Sequence, residues 1–169
     1  MPRLIAISAK KRSGKDTAAD YICNKYGYTK YALASPFKKL LCKHFGFTED
    51  QINGINYDRE QCLNLTKEQV IETFKRILED LEYEYIYINW NVLDDIKCWS
   101  VRRIMQAIGT DIGCNQVDKN IWMHKMIWQY NRLLYENKGM IISDCRQDHE
   151  MEIMRNLNAL VIHIINPTI

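Results

Sequence analysis

Lys10, Lys11, Arg12 and Lys15 crowd one short stretch, Ala9-Lys10-Lys11-Arg12-Ser13-Gly14-Lys15-Asp16-Thr17, directly after the apolar run Ile5-Ala6-Ile7. Cations beside a small-residue turn are the groups that hold a polyphosphate. Backbone N–H groups and the N-terminus of a following helix face the anion, and a lysine adds a point charge. The spacing approaches the phosphate-loop pattern G-x-x-x-x-G-K-[ST] and departs from it twice. Ala9 stands where the first glycine belongs, and Asp16 stands in the hydroxyl position with Thr17 one place later. The stretch is a candidate nucleotide cradle; the competing reading is an exposed basic turn ahead of an ordinary helix.

Phosphoryl transfer asks a protein for little covalent chemistry. Phosphates must be lined up, charge neutralised and water kept out. Besides Lys15, the chain offers Arg12, Arg59, Arg103 and Arg146, whose planar forks suit paired phosphate oxygens. Asp16, Thr17 and Asp144 are the candidate Mg²⁺ partners; Asp144 follows the apolar run Met140-Ile141-Ile142-Ser143, as a second nucleotide-binding motif would. Each arginine also has a plainer reading. Arg59 can pair locally with Asp58 or Glu60, and Arg102 and Arg103 can solvate a helix face. Lys38, in the first turn of the helix opened by Ser35-Pro36, is either a second anion site or a surface lysine. A phosphate acceptor is already an anion and needs no general base. Other chemistries find little support: no serine sits in G-x-S-x-G, and His44, His124, His149 and His163 share no ligand spacing. Cysteines 23, 42, 62, 98, 114 and 145 form no C-x-x-C pair and are expected as free thiols without zinc.

These residues must be positioned by regular elements. Arg3 to Ser8 reads as a buried strand, and a helix carrying Ala18, Ala19, Ile22 and Tyr26 runs to Gly27. Tyr28 to Ala34 reads as a second strand, completing a βαβ unit with the basic loop at the carboxyl end of its first strand. Ser35-Pro36 opens a helix with Phe37, Leu40, Leu41 and Phe45 inward. The stretch 46–65 reads as irregular, and Thr66-x-x-Gln69 is a capping box for the next helix. Tyr83 to Ile88 alternates as a strand or hairpin arm would. Trp99-Ser100 begins a helix that Gly109 is expected to stop, and Asp118 is expected to cap another running to about Tyr135. The short strand 140–143, a helix over 147–156 and a strand over 159–165 complete the pattern. The fold class is α/β: one three-layer domain over 1–169 with a parallel sheet and a helical, substrate-covering insertion over roughly 46–135.

Composition narrows the class. The 169 residues suffice for one domain with a sizeable core, and a net charge of +2 gives no global pull toward nucleic acid or a membrane surface. No apolar run approaches the roughly 20 residues of a membrane span, and no signal peptide is legible, so a cytoplasmic protein is expected.

Four strings carry a resemblance across nearly the whole chain: Lys11-Arg12-Ser13-Gly14-Lys15-Asp16-Thr17; Tyr57-Asp58-Arg59-Glu60 with Leu63-Asn64-Leu65-Thr66; Trp99-Ser100-Val101-Arg102-Arg103 onward to Asp111; and Asp144-Cys145-Arg146-Gln147-Asp148-His149-Glu150-Met151. In that order they resemble the bacteriophage deoxynucleoside monophosphate kinases, a branch of the P-loop NMP kinase superfamily with a P-loop NTP hydrolase-like fold and an NMP-binding lid insertion. The Gly-Lys-Asp-Thr ending is also similar to that of animal-type phosphomevalonate kinases. The resemblance implies ATP- and Mg²⁺-dependent phosphorylation of a deoxynucleoside 5′-monophosphate, in the host cytoplasm where the source is viral. It implies an ATP site from Lys11, Arg12, Ser13, Gly14, Lys15, Asp16 and Thr17. It implies a monophosphate site from Lys38, Arg59, Arg103, Gly109, Thr110, Trp122 and Arg146, with Lys15, Arg103 and Arg146 catalytic. Small molecules are the expected partners, and a homodimer is left open. Family members continue past an Asn/Arg-Pro step equivalent to Asn166-Pro167, where this sequence stops. Two alternatives stand beside the kinase: a kinase of another phosphorylated acceptor and, because of the short C-terminus, a nucleotide-binding protein without catalysis.

Overall fold

The computed structural model describes residues 1–168, and the chain divides into two compact units. The first combines Met1–Ser35 with the residues from Trp122 onward; the second is Pro36–Ile121.

In the first unit the strands β1 (Leu4–Ala9), β2 (Thr29–Tyr31), β3 (Met140–Ile142) and β4 (Leu160–Ile164) form a parallel sheet in the order β2-β3-β1-β4. Strand β1 is interior, with Leu4 opposite Met140 of β3 and Ala9 opposite Ile164 of β4. Alternation along β1 sorts its side chains to two faces. Leu4 and Ala6 join Met140 and Ile142 in a cluster with Met123, Met126, Tyr130 and Leu133 of α6 (Met123–Tyr135) and Met154 of α7 (Asp148–Asn156). Ile5, Ile7 and Ile141 enter a second cluster with Ala19 of α1 (Lys15–Tyr26) and with Tyr28. Helices therefore cover both faces of the sheet, giving the three layers expected; each fully buried aliphatic side chain contributes about 1.5–3 kcal/mol. Strand β2 is three residues long, shorter than the expected 28–34. The backbone N–H groups of Leu33 and Ala34 donate to the Asp144 carboxylate at 3.0 and 3.4 Å, which takes them out of the ladder.

The second unit is helical. It carries most of α2 (Ser35–Phe45), then α3 (Glu49–Asn53), α4 (Lys67–Asp80), a 3₁₀ turn (Trp90–Leu93), α5 (Val101–Gln106) and a π-helix (Ala107–Val117). Phe37, Leu41, Ile52, Val70, Phe74, Ile77, Leu78, Trp99, Val101 and Ile104 are buried. The Thr66/Gln69 capping box forms as expected, and Thr48/Gln51 makes another that starts α3 within the stretch read as irregular.

Four expectations fail here. Tyr83–Ile88 forms no strand, and the strands among the described residues all lie in the first unit. Without a neighbouring strand the tyrosines serve singly: Tyr83 Oη donates to Asp118 at 2.7 Å and Tyr85 Oη to Glu79 at 3.1 Å, while Ile86 and Tyr87 are exposed. Gly109 does not stop a helix, because the chain continues past it as the π-helix. A Cβ there would lie 3.2 Å from Phe37 Cε1, so this glycine admits an aromatic ring rather than ending a turn. Asp118 does not cap the next helix, which begins at Met123; its carboxylate instead accepts from Asn120 N and Tyr83. Finally, Cys62 and Cys98 form a disulfide with Cα atoms 5.3 Å apart, and Cys23, Cys42, Cys114 and Cys145 stay outside it. Their separation of 36 residues hides a closeness that the Leu63 N–H to Trp99 O bond makes evident.

Among the described residues no helix is long and apolar enough to cross a membrane.

Candidate active site

The basic loop leaves the carboxyl end of an interior parallel strand, the usual ligand position in open α/β sheets. Ala9 fits because it is still strand, paired with Ile164; the left-handed turns fall instead at Arg12 (φ 67°) and Gly14 (φ 89°). Ser13, 8% exposed, closes the turn by donating its N–H and Oγ to Lys10 O. Gly14 is the N-cap of α1, and the first intrahelical bond runs from Ala18 N to Gly14 O at 2.9 Å. The N–H groups of Lys15, Asp16 and Thr17 thus precede the helical ladder and carry the positive end of the helix dipole.

Lys15 Nζ lies 3.1 Å from Asp16 Oδ2, with its side chain mostly covered, while Lys30 Nζ approaches Asp16 Oδ1 at 3.7 Å and Asp20 at 2.9 Å. Burial pushes the Asp16 carboxyl up, but hydrogen bonds from Lys15 and Ser143 and the charges of Lys15 and Lys30 outweigh it and hold it below the ordinary carboxylate value. Lys10, Lys11, Arg12 and Thr17 are exposed. Asp144 uses both carboxylate oxygens on Leu33 N and Ala34 N, so it fastens the turn after β2. Arg146 also belongs to this unit. Its backbone N–H and that of Gln147 donate to Glu150 at 2.7 and 2.9 Å, leaving the exposed arginine at the start of α7. Trp122, half-buried, is the N-cap of α6.

The second unit holds the other expected acceptor residues. Lys38 Nζ donates to Asn53 Oδ1 at 2.8 Å. Arg59 Nη1 donates to Ile52 O at 3.2 Å and passes Gly54, where a Cβ would stand 2.9 Å from Arg59 Nε. Gly54 is left-handed (φ 70°) as well, a conformation that calls for glycine, and a Cβ there would displace the Arg59 side chain. Arg103 is placed by α5, whose N-cap Ser100 accepts from Arg103 N, and its Nη1 reaches Asp111 Oδ2 at 2.9 Å. Two links tie the Arg59 and Arg103 segments: Arg102 N donates to Arg59 O at 3.0 Å, and the Cys62–Cys98 bond joins the flanks. Glu60 pairs with Arg102 at 3.1 Å rather than with Arg59. Gly109 and Thr110 sit in the π-helix, Gly109 buried and Thr110 exposed.

The sequence profile of the family described as deoxynucleotide monophosphate kinase matches residues 3–97 and 79–169. The chain belongs to the deoxynucleotide monophosphate kinase family. It is similar to the deoxynucleotide monophosphate kinase of Enterobacteria phage T4, 36% identical over 199 residues that cover 98% of this chain and 82% of the relative. The enzyme of the same name from Escherichia phage RB69 is 38% identical over 199 residues, covering 96% and 82%.

For a kinase of this family, four polar partners escaped sequence reasoning: Lys30, Asn53, Asp111 and Ser143. Each acts through a side chain paired across the fold or a turn, and the strings that contain Asp111 and Ser143 give neither of them this role. Ser143 had the nearest signal, since it closes the apolar run that put Asp144 forward.

Proposed function

We propose that the chain transfers the γ-phosphoryl group of ATP to the phosphate of a deoxynucleoside 5′-monophosphate, giving ADP and the deoxynucleoside diphosphate. The observation that carries this is the Lys15 loop at the end of interior strand β1, in a chain of this kinase family. An oxygen of the monophosphate attacks the γ-phosphorus, the bond from that phosphorus to the β-phosphate oxygen breaks, and ADP leaves with the electron pair. The acceptor oxygen is an anion, so no base is required. Backbone N–H groups of the loop from Lys11 to Thr17 hold the ATP phosphates, and Lys15 neutralises charge as it develops on the bridging oxygen.

In this reading Lys38, Arg59, Arg103, Gly109, Thr110, Trp122 and Arg146 are the residues that bind the monophosphate. Arg103 and Arg146 stabilise the transferring group by the paired hydrogen bonds a guanidinium can make. Asp111 holds Arg103 in the meantime, so the fork is kept ordered without phosphate.

Among the described residues no three His, Cys, Asp or Glu side chains group into a metal cage. Mg²⁺ needs none in such enzymes, since one or two protein oxygens plus phosphates and water complete its shell. The carboxylate of Asp16, 63% exposed in the first turn of α1, is a donor of that kind and fits the ion. Asp144 fits less well, with both oxygens engaged by backbone N–H groups. When bound, magnesium offsets phosphate charge and orients the chain of phosphates. With both substrates cytoplasmic metabolites, the reading places the enzyme in the cytoplasm.

A coupled ADP-release assay with a panel of deoxynucleoside monophosphates tests this, the expected outcome being turnover above the ATP-only rate with at least one of them. Turnover only with a phosphate ester that is not a nucleotide would assign a different acceptor. ADP binding with no turnover on any acceptor would leave a binding protein and end the kinase reading.

A further inference from the structure

In the usual phosphate loop the residue after the lysine is Ser or Thr, whose hydroxyl meets Mg²⁺, and the carboxylate comes from the end of a neighbouring strand. Here the residue after Lys15 is Asp16, and the first residue past the end of β3 is Ser143. The two meet: Ser143 Oγ donates to Asp16 Oδ1 at 3.0 Å. Resting on the Mg²⁺·ATP reading, we infer that Asp16 and Ser143 are the loop–strand pair with its two groups exchanged, and that Ser143 is the positioning residue that aims the Asp16 carboxylate at the nucleotide's metal ion.

The structure supports the exchange on three counts. Position comes first. Strand β3 is hydrogen-bonded to β1 with Ile142 opposite Ala6, so the residue after Ile142 is carried alongside the strand that feeds the loop. Ser143 is 5% exposed, which leaves its hydroxyl few alternatives to the partner it has. Charge and donor count come next. One carboxylate and one hydroxyl are present in either arrangement, so the exchanged pair presents the same −1 charge and the same hard oxygens. Elimination is the third. Asp144, the acidic residue nearest the strand end, spends Oδ1 and Oδ2 on Leu33 N and Ala34 N and is a structural fastener. The hydroxyl also does something definite: by donating to Oδ1 it fixes the carboxylate's rotation, leaving Oδ2 the outer oxygen. In this structure Oδ2 faces the Lys15 ammonium, which occupies the place of a cation.

The exchange makes the two positions interdependent. Asp16→Ser alone leaves two hydroxyls and no charge. Ser143→Asp alone sets two carboxylates side by side, which repel. The double variant Asp16→Ser/Ser143→Asp restores one of each in the usual arrangement. The test is calorimetric binding of ADP with Mg²⁺ and with EDTA, which needs no turnover. Wild type is expected to bind ADP at least about tenfold tighter with Mg²⁺. Each single variant should lose that gain and the double variant recover most of it. Ser143→Thr, which keeps the hydroxyl, should behave as wild type, whereas Ser143→Ala should lose most of the gain. A wild type with no Mg²⁺ effect would count against the magnesium reading itself. A wild type with the effect, and a folded double variant no better than Asp16→Ser, would overturn the exchange. Should the double variant unfold on heating before the binding temperature, the threonine and alanine variants decide, and an alanine variant with the full Mg²⁺ gain overturns the inference.

Discussion

The two units of this chain hold their candidate functional residues by different means. In the first, the groups are placed by backbone: an interior parallel strand, a turn closed on Lys10 O and the opening of α1. In the second, long side chains are held by side-chain hydrogen bonds: Lys38 to Asn53, Arg59 to Ile52 O and Arg103 to Asp111, with a disulfide joining the segments on either side. Backbone placement suits a site that must meet the same polyphosphate in every turnover. Side-chain placement suits charges that must be released to an arriving phosphate, since each holding contact can be exchanged for a stronger, charge-assisted one.

The contrast predicts unequal damage. Lys15→Ala should cost most, about 10²–10³-fold in kcat with the fold intact by circular dichroism, because its role is in the transition state. Activity like the wild type would remove Lys15 from the cradle. Arg103→Ala should lower kcat/KM for the monophosphate by about 10²-fold and leave the ATP KM nearly unchanged, and Arg103→Lys should recover little because a point charge does not replace the fork. Equal losses on both substrates would blur the division between the units. Reduction of Cys62–Cys98 should destabilise by about 4 kcal/mol on loop-entropy grounds for a separation of 36 residues. Hydrogen exchange should place the loosening in residues 36–121, and protection lost mainly in the β-sheet would contradict it.

The smallest expected effect lies in the first unit. Burial, followed by the nearby charges of Glu150 and Asp144, pushes the Cys145 thiol up to about 12. Its folded value exceeds its ordinary one, so its contribution to stability is fully present below about pH 9 and is lost as pH rises toward 12. Cys145→Ala should soften alkaline unfolding in that window, and native Cys145 should resist alkylation at pH 8; rapid labelling there would show the thiol to be accessible.

The same contrast explains what the sequence discloses. The β1–loop–α1 segment is legible because its signals are contiguous: an apolar run, a basic turn, Gly14 and Lys15. Even Ala9, an apparent fault against the motif, is harmless once the left-handed turns fall at Arg12 and Gly14. The helical unit is poorly legible because its determinants are distant in the chain. Gly109 looks like a helix stop until Phe37 is seen against it, and the alternating tyrosines 83, 85 and 87 look like a strand although, among the described residues, the strands all lie in the first unit. Arg59 and Arg103 stand out by their strings, but the pairing with Ile52 O and Asp111 does not, and no spacing rule joins Cys62 to Cys98.

The central claim is transfer of the γ-phosphoryl group to a deoxynucleoside monophosphate, and it is tested most directly by following the phosphorus itself. With ATP labelled at the γ-position and a reactive deoxynucleoside monophosphate present, the label is expected to appear in the deoxynucleoside diphosphate, and Lys15→Ala to slow its appearance by about 10²–10³-fold. Label recovered only as inorganic phosphate, or retained in ATP across the whole panel of monophosphates, would contradict it.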